Sequence, residues 1–264
     1  KWVDLYETEP KMIEIETAHY IKGMHNLMSA HFDLRNYHKF NDTICRFENF
    51  ALTPTVLENQ NNKIQTFVYL NLSKINRHFM EGTFEAGIAE IPQIEEKLTE
   101  YELYLDRHRV LVFYYKFASL YFGAGKYSTS IDYLNKVIDL KGDLRTDLRC
   151  YARLLHLIAH YELGNFEILE YLLKSVTRFM AKMENLGLAE TEIFSFLKRS
   201  FRLQPNALKP SFIKLLENLK EVEKDKLASR AFMYLDVISW LESKIEGKEV
   251  QDIIRDKYLR SINK

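Results

Sequence analysis

The stretch YYKFASLYFGAGKYSTSIDYLNKVIDL, Tyr114 to Leu140, decides the fold. Its first half is an apolar helical run that breaks at AGKY, and its second half opens on the aromatic Tyr127. Small or apolar residues then follow three, seven and ten positions on, at Ser130, Leu134 and Val137, and those offsets lie on one face of a helix. Gly125, two residues before the aromatic, suits a helix C-terminus that must turn sharply into the next helix. The stretch reads as helix, tight turn, helix.

The same arrangement recurs along the chain. The other breaks are LRNY ending at Tyr37, EGTF ending at Phe84 and LGNF ending at Phe166, and three of the four breaks carry Gly two residues before the aromatic. After them come Phe40, Ile44 and Phe47; Gly87, Ile91 and Ile94; and Leu169, Leu173 and Val176. Before the first break Met24, Leu27, Met28 and His31 match Tyr114, Phe117, Ala118 and Tyr121 of the third. Four units result, covering roughly Met12 to Arg178. Beyond them helices are expected at Glu190–Arg202, Ala207–Val222, Asp225–Ile245 and Glu249–Ser261, punctuated by Pro205, Pro210 and Gly247. No repeat signature is visible there, although Ala231, Tyr234, Leu235, Ile238, Trp240, Leu241 and Ile245 keep an amphipathic rhythm.

The Tyr114 unit resembles a tetratricopeptide repeat. Tyr114 opens helix A, Phe117-Ala118 stands for the Leu-Gly pair, and Tyr121, Gly125, Tyr127, Ser130, Leu134 and Val137 fill the remaining slots. In the other units Met28, Ile75 and Leu157 occupy the small-residue slot, the terminal Pro is missing, and the spacing is about 40 to 47 residues where the family has about 34. The resemblance implies an all-α, right-handed superhelix of antiparallel helical hairpins. Residues 1–10 would be a lead-in, 11–186 four hairpins, and 187–264 a helical cap over the last hydrophobic face. Trp2 to Tyr6 reads as the end of an element that begins upstream.

Composition narrows the function classes. Nine Gly and five Pro in 264 residues are too few for the turns of a sandwich or barrel. Thirty-seven basic and thirty-seven acidic residues cancel, so no global field draws the chain to nucleic acid or an anionic membrane. The most apolar run, from Val110, is interrupted by Lys116 and is shorter than a spanning helix. Cys45 and Cys150 stand alone, which points to a reducing compartment and a cytoplasmic protein.

Chemical motifs are weak. His156 and His160 are one helical turn apart but lack a third ligand, and His160 falls in the slot of His31, His78 and Tyr121, so packing is the expected role and no metal is assigned. GAGKYS at Gly123 lacks the first Gly and the preceding strand of a phosphate loop. The basic run Lys198-Arg199-Ser200-Phe201-Arg202 and the acidic cluster Glu95, Glu96, Glu100, Glu102 and Asp106 read as solvated helix faces. Neither an enzyme nor a cofactor is expected.

The resemblance implies that helix A of successive units lines a concave groove. Its slots hold Tyr69, Leu72, Asn76 and Phe79; Val112, Tyr115, Ser119 and Phe122; and Tyr151, Leu154, Ile158 and Tyr161. One slot is always aromatic: Phe32, Phe79, Phe122 and Tyr161. An open row of rings suits an apolar or amphipathic peptide; the alternative is that the rings pack against each other or the tail. The clamp of chaperone-binding members finds only Lys22 and Asn76 here. The expected function is therefore a non-enzymatic protein or peptide scaffold, self-association through exposed rings being a further option. A peptide-sensing regulatory domain of a larger protein is the alternative, and an RNA-binding array the weaker third.

Overall fold

The computed structural model describes residues 2–140, 145–183, 187–200, 203–224 and 236–263, and every regular element among them is a helix. In chain order these are α1 Trp2–Thr8, α2 Pro10–Ile15, α3 Thr17–Asp33, α4 Tyr37–Ala51, α5 Pro54–Leu57, α6 Gln60–Glu81, α7 Phe84–Glu100 and α8 Arg107–Gly123. Then follow α9 Tyr127–Ile138, α10 Thr146–Glu162, α11 Phe166–Lys182, α12 Leu188–Ser200, α13 Pro205–Glu223, α14 Val237–Glu246 and α15 Val250–Ile262. Phe201 and Arg202 of the basic run, and residues 225–235 of the helix expected over Asp225–Ile245, with Ala231, Tyr234 and Leu235, lie outside the described residues. Among the described residues no helix is long and apolar enough to cross a membrane.

All four expected turns are built alike. The second helix of each hairpin begins at the aromatic itself: Tyr37, Phe84, Tyr127 and Phe166. The residue two places earlier is left-handed every time, Arg35 at φ 53°, Gly82 at 67°, Gly125 at 72° and Gly164 at 71°. The next amide then donates back to the carbonyl five residues before it, Asn36 to His31 at 2.9 Å, Thr83 to His78 at 3.1 Å, Lys126 to Tyr121 at 2.8 Å and Asn165 to His160 at 3.0 Å. This is the bond that satisfies a helix's last carbonyls while the chain reverses. It explains the Gly preference, because a Cβ in the left-handed region costs about 1–2 kcal/mol.

Arg35 carries that cost. Arg35→Gly is expected to raise stability by about 0.5–1 kcal/mol. Gly164→Ala, whose added Cβ would meet only Phe166 Cε2 at 3.8 Å, should lower it by about 1–2 kcal/mol through backbone conformation alone. Urea unfolding of the two variants checks both signs.

The positions three, seven and ten after each aromatic are all buried, from Phe40 through Val176. So are Met28, Ile75, Ala118 and Leu157, each with no exposed surface, where the first helix of a hairpin approaches the second. In the third hairpin the small pair closes that approach further, the Ser130 hydroxyl donating to the Ala118 carbonyl at 2.8 Å.

The chain divides into two compact units, 1–109 with 258–264, and 110–257. This boundary falls in the first turn of α8, at the start of the third hairpin, and differs from the division at 186/187 read from the repeats. In the first unit α3 packs on α4 and α6, and α6 on α7. The lead-in is part of its core: Val3 and Tyr6 of α1 are buried with Tyr20, Ile21 and Met24. In the second unit α10 packs on α9 and α11, α11 on α12, α12 on α13, and α13 on α14. The tail helices α12 to α14 therefore share one unit with the third and fourth hairpins.

The turn recurs once more, where the sequence shows no repeat. Gly247 after α14 is left-handed at φ 69°, and the Lys248 amide donates to the Ser243 carbonyl at 3.1 Å. Glu249 takes the place of the aromatic, and the apolar set shifts to Val250, Ile253 and Ile254, which hides the relation.

Candidate functional site

Four of the candidate recognition residues come together on α6. Tyr69, Leu72, Asn76 and Phe79 are spaced three, four and three apart, so they share one face, and all four are half-buried. The His25 ring of α3 stacks on Tyr69 with centroids 4.1 Å apart and planes 10° from parallel. The Arg109 guanidinium lies 5.2 Å from the Tyr69 ring centroid and donates to its hydroxyl at 3.3 Å. Phe79 leans on Phe84, the aromatic that opens α7, at 5.9 Å. The face thus offers a fixed Tyr ring with a cation beside it, two apolar side chains and one amide. Neither His25 nor Arg109 has a spacing that would have flagged it in the sequence.

The second unit treats the same slots differently. Tyr115, Phe122, Tyr151, Leu154 and Ile158 are buried, Leu154 and Ile158 to about 1% exposure or less, and belong to the core. Ser119 is half-buried and spends its hydroxyl on the Tyr115 carbonyl at 2.9 Å. The cause is α10, which keeps its polar residues to one stripe, Arg149, Arg153, His156 and His160, and buries Tyr151, Ala152, Leu154, Leu155, Leu157, Ile158 and Ala159 over the rest of its surface.

The aromatic row closes on itself. Phe122 packs on Tyr127 at 5.2 Å and Tyr161 on Phe166 at 5.9 Å, the contact that Phe79 makes with Phe84. Phe32 turns to Phe40 at 6.1 Å. Tyr161 also meets Phe196 of α12 and Trp240 of α14, and Phe212 of α13 bridges those two at 5.0 and 6.1 Å. The packing alternative therefore describes the second unit.

Glu162, at the end of α10, fastens the tail there. Its side chain is 5% exposed and accepts from Trp240 Nε1 at 2.7 Å and from Lys244 Nζ at 2.6 Å. Tyr127 bonds to it as well, and burial, followed by Glu162 and Glu249, pushes that phenol far up.

His156 and His160 face each other with Nε2 atoms 3.3 Å apart. The Asn165 amide lies 3.0 Å from His160 Nδ1, so with Asn165 donating there, His160 Nε2 carries the proton shared with His156. Burial, then the His160 charge, then Arg153, pull His156 down to about 4, and burial lowers His160 too. The slot partner His78 makes the matching bond, Nδ1 to the Thr83 hydroxyl at 2.8 Å. Among the described residues no three or more His, Cys, Asp or Glu gather in a metal-holding group.

Comparison with family models, with curated proteins and with solved structures finds no match to this chain.

Proposed function

We propose that the chain is a tetratricopeptide-like interaction module, a superhelical array of hairpins that binds a peptide segment of another protein on the helix A face of its second hairpin. The observation that carries this reading is the fourfold identity of the hairpin turn, left-handed residue, five-residue back-bond and aromatic start included. It supports a true structural repeat, and repeats of this kind present one helix face for recognition. Of the slots on that face, those of α6 keep surface: Leu72 and Phe79 for apolar side chains, Asn76 for a backbone amide, since its side chain both donates and accepts. Fold alone does not assign function, so the proposal stands on this face and its chemistry.

Selection of a phage-displayed random peptide library tests it. Peptides with apolar residues at regular spacing should be enriched, and Leu72→Lys or Asn76→Ala should weaken their binding by about tenfold or more, as for central interface residues. Both variants are first matched to the parent in helix content and unfolding midpoint. No enrichment, or enriched peptides indifferent to both substitutions, contradicts the proposal.

A further inference from the structure

A groove of about 580 Å³ runs between α11 and α12, on elements that the proposed recognition face does not use. Its floor is apolar, with Leu173 and Phe194, each 6% exposed, at its base beside Lys174, Arg178 and Lys198. Its rim is cationic. Lys174 is paired with Glu170 at 3.0 Å, whereas Arg178 and Lys198, both exposed, meet no carboxylate among the described residues. Lys198 begins the basic run that reads in sequence as a solvated face. Its neighbour Arg199 extends the positive edge into the adjoining hollow with Ser195 and Leu203.

Two of the three hydroxyls in the groove are already used, and the third is that of Ser195. Thr177 donates to the Leu173 carbonyl at 2.8 Å and Thr191 to the Gly187 carbonyl at 2.8 Å. With those two donors spent inside the helices, charge and apolar surface outweigh hydroxyls in the groove. It has an apolar floor and two cations, one from each helix, that meet no carboxylate among the described residues, Arg178 Nε donating to the Lys174 carbonyl at 3.3 Å. A single-headed amphiphile engages one such cation. A segment with an apolar stripe and several carboxylates along its length engages both.

We infer that the α11–α12 groove docks an acidic amphipathic helix of a partner protein, its apolar stripe on Leu173 and Phe194 and its flanking carboxylates on Arg178 and Lys198. The site is independent of the α6 face, so either can fail without the other.

The probe is a labelled synthetic helix of about four turns, with Leu in an i, i+3, i+4, i+7 stripe and Glu on both flanks, beside an isomer carrying Lys for Glu. Fluorescence anisotropy should show the intact chain binding the acidic helix about tenfold tighter than the basic one, the preference shrinking as salt is raised. Arg178→Glu with Lys198→Glu should invert that preference at unchanged helix content, and Lys198→Gln alone should reduce it. Equal affinity for the two isomers overturns the inference, as does a preference that survives the double reversal. Concentration-dependent self-association abolished by the same reversal assigns the groove to a second copy of this chain, and overturns it too.

Discussion

Trp240→Ala is expected to cost about 3–5 kcal/mol, the loss typical of a large buried aromatic. Trp240 has no exposed surface and stands against Tyr161 and Phe212. It is also the neutral donor to Glu162, whose other donor across this contact is the Lys244 ammonium. Trp240→Phe separates the two contributions: it keeps most of the ring volume and removes the N–H, and should cost about 1–3 kcal/mol for a buried carboxylate left short of a partner. Urea unfolding followed by far-ultraviolet circular dichroism measures both. Equal losses in the two variants would mean that the hydrogen bond, and not the cavity, dominates.

Acidification should destabilise the second unit through His156. The unfolded imidazole takes its proton near 6.5, and the folded one resists until about 4. The unfolded state therefore binds more protons between those values, and stability falls as pH drops through that window. Full stability is present above pH 6.5. The loss reaches about 2–3 kcal/mol near pH 4.5, from 1.36 kcal/mol per pKa unit. His156→Gln cannot titrate, so the difference in unfolding free energy between parent and variant should shrink, or change sign, between pH 7.5 and pH 4.5 by about that amount. A difference independent of pH would place the acid sensitivity in the carboxylates. His160 and Arg153 face the same ring, and both oppose its protonation.

The hairpins were legible because their turns have a physical requirement that few residues meet. A left-handed residue two places before a helix start favours Gly, and Gly82, Gly125 and Gly164 mark it; Arg35 departs from the rule, and its turn was still found through Tyr37, Phe40, Ile44 and Phe47. The break at Gly247 was read between two helices, but its likeness to the repeat turns was not, because Glu249 replaces the aromatic and the apolar face of α15 is shifted. Which slots stay open was less legible, because a repeat pattern says where a residue sits and not what is laid over it. One signal did exist: over residues 150–161 the polar Arg153, His156 and His160 keep to one stripe and the rest of the helix surface is apolar, which argues for burial of all but that stripe. Nothing in the sequence ties Trp240 to Glu162, 78 residues apart, or Arg109 to Tyr69, 40 apart.

Recognition on the α6 face, with the corresponding slots of the second unit structural, has a direct consequence for backbone protection on binding. Hydrogen–deuterium exchange with and without a library-selected peptide tests it most directly. Slowed exchange is expected around Tyr69 to Phe79, with residues 115–122 and 151–161 unchanged. Slowed exchange in those two segments, with α6 unaffected, would contradict it.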